Sequence, residues 1–180
     1  GNTNFIIRGF GNGANNPGIE PSVGVFIDGV YRSRSAAAIA DLPNLERIEV
    51  LRGPQSTLFG KNASAGVINI VTASPNMEQL EGSGEFTYGN YNQVILKGDI
   101  SGPISDTFGF SLAVNGNKRD GYFKNLETEN DINERDRYGI RGQLLWLPSD
   151  DITLRLIADY DKIDENCCGV ANLVAGDTSA

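Results

Sequence analysis

The chain has 180 residues, 39% of them hydrophobic, with 22 glycines and a formal net charge of −8. That length allows one domain or two small ones, and the glycine-rich, thinly apolar composition suits a barrel or irregular β protein better than an ordinary globular core. A duplex nucleic-acid binder would need a basic patch, which is absent, and no apolar run reaches the ~18 residues of a membrane-crossing helix, so any crossing must be by strands.

The charge is unevenly placed. Residues 1–78 carry six Lys/Arg and six Asp/Glu, so the later residues, with 9 basic and 17 acidic groups, hold the whole excess. In chain order, residues 2–10 read as a strand with Phe5 and Ile7 on one side and Ile6 and Arg8 on the other. GNGANNPG, residues 11–18, is a turn-rich loop. Residues 22–27 read as a second strand, and Asp28-Gly29 as a tight turn and no more, leading into Val30-Tyr31. Residues 35–40 are small and helical or coiled, and residues 42–45 form one helical turn. Next comes a strand with Ile48, Val50 and Arg52 on one face, stopped by Gly53-Pro54. Pro54 suits the first position of a short helix, where a missing N–H costs nothing. Residues 56–59 fill that helix, and Gly60 closes it in the left-handed conformation. Val67-Ile68-Asn69-Ile70-Val71 is a buried-strand run. Residues 1–75 therefore read as a compact α+β unit.

After Pro75 the pattern changes to period-two alternation in segments of about ten residues. Val94, Leu96, Gly98 and Ile100 share a face; so do Phe108, Phe110, Leu112 and Val114; Tyr138, Ile140, Leu144 and Trp146; and Ile152, Leu154, Leu156, Ala158 and Tyr160. With residues 85–88 these make five strands. Three features favour a lipid-facing band over a soluble sheet. The polar faces carry charge at mid-strand, as a water-filled lumen permits; aromatic residues sit near strand ends; and short turns alternate with long loops, residues 89–92 excepted. On this reading Leu112 faces lipid, and Ser111, facing the lumen, would accept a charge far more readily.

The string DLPNLERIEVLRGPQSTLFGKNASAGVINIVTASP, residues 41–75, closely resembles the plug domain of TonB-dependent outer-membrane receptors. Two further motifs of that family precede it in order: Ile7-Arg8-Gly9-Phe10-Gly11 and Val25-Phe26-Ile27-Asp28-Gly29-Val30-Tyr31. The resemblance covers about the first 75 residues. It implies an α+β plug, residues 1–78, followed over residues 79–180 by the first antiparallel strands of a transmembrane β-barrel, about five of the 22 such a barrel holds. It further implies energised uptake of a scarce large nutrient, by default a ferric siderophore, with partners TonB and its inner-membrane energising complex, outer-membrane lipid and the ligand. The segment that recruits TonB is expected before Gly1. Resemblance also implies that Arg8 and Arg52 pair with barrel glutamates lying beyond Ala180, a role suited to arginine's planar fork. Apical plug loops carrying Asn12, Asn15, Asn16, Arg32 and Arg34 are candidate ligand contacts. The rival reading is a soluble periplasmic or secreted β-rich binding module; an adhesive protein would show repeats, and none occur.

Catalytic residues, cofactors and metals find no support in the sequence. The chain has no His, the commonest acid–base group and metal ligand. Residues 53–61 superficially suggest a phosphate loop, but six residues separate the glycines where that motif has four, and Asn62 stands where Ser or Thr should bind magnesium. Cys167 and Cys168 are the only cysteines. Strand alternation from a periplasmic start places residues 162 onward outside the cell, where thiols oxidise. The pair is a candidate vicinal disulfide, competing with partners farther along the chain. Intact cells treated with a membrane-impermeant maleimide should label these cysteines only after mild reduction. Labelling without reductant would show free thiols, and labelling only after lysis would show inverted topology.

Overall fold

The computed structural model describes residues 5–11, 21–32, 44–60, 62–124 and 131–165. Two sheets dominate. The first contains β1 (Val23–Ile27), β2 (Val30–Tyr31), β3 (Leu45–Arg52) and β4 (Gly66–Thr72), in the order β2-β1-β4-β3. A single-turn helix, α1 (Ser56–Phe59), joins β3 to β4. The second sheet is an antiparallel meander of β5 (Glu81–Gly89), β6 (Gln93–Ser105), β7 (Phe108–Arg119), β10 (Arg135–Ser149) and β11 (Ile152–Ile163). The short pair β8 (Phe123–Lys124) and β9 (Asp131–Ile132) decorates the long β7–β10 connection.

β1 and β4 run parallel at the centre of the first sheet, with Val25 opposite Ile68 and Ile27 opposite Ile70. Parallel strands buried on both faces read as continuous apolar runs, and every residue of β1 is buried. Val25, Ile27 and Ile70 form a cluster on one side with Phe5 and Ile68 against it. Phe26, Ala63 and Val67 form another with Tyr31, Leu51 and Phe59, and Phe26 meets the Phe59 ring edge-on at 4.9 Å.

Three local expectations are corrected. Residues 5–11 are not an extended strand: Ile7 and Phe10 exchange two backbone hydrogen bonds of 3.0 Å around Arg8 (φ 53°) and Gly9 (φ 79°). Positive φ at both central residues closes the chain into a two-residue hairpin turn. Leu45 begins β3 and belongs to no helical turn; residues 42 and 43, like residues 35–40, lie outside the described residues. Pro54 stands before the helix's N-cap, Gln55, and Gly60 leaves the helix at φ 75°, ψ −148°. That conformation is open essentially to glycine alone and is distinct from the left-handed helical cap.

The five expected strands form, and their amphipathicity is inverted relative to a soluble sheet. On the outer face Leu96, Leu112 and Leu156 are 54%, 41% and 65% exposed, whereas Ser101, Arg141 and Gln143 on the inner face are 2%, 5% and 7% exposed. The inner face is covered by the first sheet and its exit segment: Asn76 N donates to Ser101 Oγ at 2.8 Å, and a Cβ added at Gly109 would lie 2.5 Å from Met77 Sδ. The exposed outer face is bounded by aromatic residues. Phe108 stacks on Trp146 at 5.4 Å toward the short turns, and Tyr138 meets Tyr160 at 6.3 Å toward the long loops. Tyr138 and Trp146 are eight positions apart on β10. At ~3.3 Å per residue and ~40° tilt this spans about 20 Å, the scale of the apolar band of outer-membrane barrels.

The proposed contrast between Leu112 and Ser111 changes accordingly. Ser111 is buried at 9% exposure on the occupied inner face, so a charge there would not be cheap. Thr87, exposed on the same face of edge strand β5, is the better control. Leu112→Arg should destabilise the full-length protein by about 2–4 kcal/mol in folding into lipid vesicles, with Thr87→Arg costing far less. Equal losses would reverse the facing assigned here.

Candidate functional site

Between the two sheets lies a buried cluster of charged and polar side chains. It starts at the β1–β2 turn, where Asp28 (φ 48°) and Gly29 (φ 78°) both take positive φ, as a two-residue hairpin requires. The turn delivers the Asp28 side chain to the end of β4. There Thr72 N donates to Asp28 Oδ1 at 2.9 Å and Thr72 Oγ1 donates to Oδ2 at 2.8 Å. Arg141, from the inner face of β10, donates through Nη2 to Asp28 Oδ2. Both side chains of this ion pair are 6% exposed. Arg155 of β11 stands 3.9 Å from Asp28 Oδ1 through Nη1.

The strand register brings the remaining members together. Arg141 pairs with Asp159 and Leu145 with Arg155 across the β10–β11 ladder. Arg155 Nη2 donates to the Thr72 carbonyl at 3.0 Å and to Gln143 Oε1 at 2.6 Å. Gln143 Nε2 donates to the Ala73 carbonyl at 3.2 Å. The backbone leaving β4 is thus gripped where its own ladder ends and its carbonyls need other partners. Asp159 Oδ1 accepts from Arg141 Nη1 at 3.3 Å and from Arg32 Nη2 at 3.0 Å. Farther up the same face, Arg137 Nη2 donates to Glu165 Oε2 at 2.8 Å, a bond that holds the Glu165 carboxyl below the usual carboxylate range.

Two sequence readings change here. Asp28 is more than a turn residue, since its carboxylate joins the sheets. The mid-strand charges of β10 and β11 are not solvated by an open lumen but are paired with the first sheet. The signal for this contact was present, because unmatched arginines at mid-strand require a buried counter-charge. Its address was not, since Asp28 and Arg141 are 113 residues apart. Of the other site residues singled out, Arg32 enters the cluster through Asp159. Arg8 lies in the first turn and Arg52 at the end of β3; both are exposed, and neither makes an ion pair to another described residue. Asn12, Asn15, Asn16, Arg34, Cys167 and Cys168 lie outside the described residues.

This geometry, a small α+β unit seated by charges on the inner face of an inverted sheet, has relatives. Residues 1–67 match the TonB-dependent Receptor Plug Domain family. The chain belongs to the TonB-dependent receptors. Over 118 residues it is 33% identical to the ferrioxamine receptor of Yersinia enterocolitica, covering 66% of this chain and 16% of that protein. Over 89 residues it is 40% identical to the pesticin receptor of Yersinia pestis, covering 48% and 12%. The crystal structure of the ferric yersiniabactin uptake receptor of Yersinia pestis superposes with a TM-score of 0.72 at 30% identity, over 79% of this chain and 23% of that one. The chain therefore spans less than a quarter of the length of each. Membership makes residues 23–72 part of a plug and the five-stranded sheet part of a barrel wall in the outer membrane of a Gram-negative cell. The family is one of receptors and transporters.

Breaking one partner of a buried ion pair strands the other, at a typical cost of about 3–5 kcal/mol. Asp28→Ala and Arg141→Ala in the full receptor should each lower stability on that scale, and the double variant should lose much less than their sum. Additive losses in urea unfolding would show that the two side chains do not work as a pair.

Proposed function

We propose that this chain is the plug and opening wall segment of a receptor that takes up a ferric siderophore across the outer membrane, driven by TonB and its inner-membrane complex. One observation carries the reading: a plug-like sheet seated by buried charges on the inner face of a sheet whose outer face is apolar and exposed. Relatives named as ferrioxamine, yersiniabactin and pyoverdine receptors supply the ligand class. A soluble binding module is disfavoured because a continuous exposed face of Leu, Ile and Val would aggregate in water. In this scheme the plug ends near residue 78, and the protein catalyses no reaction of its own. Arg8 and Arg52, exposed on the plug, anchor it to glutamates of the remaining wall. The loops carrying Asn12, Asn15, Asn16, Arg32 and Arg34 meet the ligand, and outer-membrane lipid meets the outer face.

Deletion of the gene should abolish growth under iron limitation on at least one ferric siderophore supplied as sole iron source, and the full gene should restore growth only in cells with TonB. Growth unaffected by deletion on every siderophore tried would reject the substrate class. Arg52→Ala should raise leak of small solutes or lower energised uptake; wild-type values of both would remove Arg52 as an anchor.

A further inference from the structure

The charges between plug and wall form a chain with a shared link. Asp28 is held by Arg141 Nη2, while the same guanidinium gives Nη1 to Asp159 Oδ1 at 3.3 Å. That oxygen is also claimed by Arg32 Nη2 at 3.0 Å. One carboxylate oxygen therefore serves two arginines, and one arginine serves two carboxylates. Arg32 is the accessible end: its side chain is 32% exposed, against 6% for Arg141 and Asp28. It is also under-satisfied, because its buried Nε has no hydrogen-bond partner. Arg141 Nε is buried and unpartnered as well, so no further contact fixes how Arg141 divides itself between Asp28 and Asp159.

We propose that Arg32 captures an anionic group of the ligand, and that this capture frees Asp159 to draw Arg141 away from Asp28. The substrate class rests on the uptake reading above; the competition among the four side chains does not. A carboxylate relieved of one guanidinium attracts the other more strongly, because opposite charges in a partly buried site interact by several times their value in water. Ligand occupancy is thereby coupled, with negative sign, to the grip of the wall on the plug. Linkage makes the coupling reciprocal, so loosening the Asp28 contact should tighten anion binding at Arg32 by the same factor.

The Thr72 amide reports the grip directly, because Asp28 Oδ1 accepts its hydrogen. Hydrogen exchange of a peptide spanning Thr72 is measured in the full-length receptor in detergent. Without ligand, Arg32→Gln should accelerate exchange there about tenfold, within the usual range of coupling between sites. Adding Asp159→Asn to that variant should return exchange close to the wild-type rate, since Arg141 then has only Asp28. If the double variant exchanges as fast as the single or faster, Asp159 is merely structural and the relay is refuted. Ferric citrate, an anionic chelate, should accelerate exchange in the wild type but not in Arg32→Gln; ferrioxamine B, which carries a positive charge, should not accelerate it. Equal acceleration by both chelates would overturn the anion assignment. Failure of radioiron retention with every chelate would reject the siderophore reading, and the ligand-free pair of variants would still decide the relay.

Discussion

The buried carboxylate of Asp28 holds the two halves of this structure together. Neither sheet can satisfy it alone. Thr72 supplies two donors from within the plug, and among the described residues the charge is balanced by Arg141 and, at longer range, Arg155 from the wall. Removing such a group from water is costly unless its partners are in place. The contact therefore specifies where the plug sits more than it adds to stability. A sheet could slide against an apolar wall with little change in energy, but it cannot slide against a wall that must meet one carboxylate, two backbone carbonyls and a hydroxyl at fixed points.

The wall obeys the same constraint from its other side. Its inner positions are polar because they must satisfy the plug, and its outer positions are apolar because they must satisfy lipid. Period-two alternation meets both demands in one strand. Leu144 and Gln143 are adjacent in sequence, and one is exposed while the other bonds the Ala73 carbonyl.

The wall strands were legible in the sequence because alternation is a local property, and β1 and β4 because a parallel pair buried on both faces leaves a continuous apolar run. The segment around Arg8 was misread because Phe5-Ile6-Ile7 looks like a strand until Arg8 and Gly9 take positive φ. Asp28 was misread for a different reason. Asp-Gly is a sufficient local explanation for a hairpin, and sufficient local explanations conceal long-range ones. Arg141, Arg155 and Asp159 were visible as mid-strand charges suited to a water-filled lumen, and Arg32 as an apical residue, but only the fold could show that the β1–β2 turn and the end of β4 face the same stretch of wall. Arg8 and Arg52 were prominent through family resemblance, and the residues described here place no counter-charge beside them.

The chain leaves β4 at Thr72 and enters the wall at Glu81, and the residues between them begin at the carbonyls gripped by Gln143 and Arg155. The noncovalent contact and the covalent tether therefore share one end of the plug. A plug pulled off the wall could not diffuse away. Its return would be a unimolecular search over a tether of eight residues, further shortened where Asn76 is pinned to Ser101. Closing a loop of about ten residues takes roughly 10–100 ns, and short tethers hold their ends at effective concentrations in the millimolar range. In the uptake proposed above, the time the plug spends off the wall would then be set by the energising step, because reseating needs no diffusive encounter.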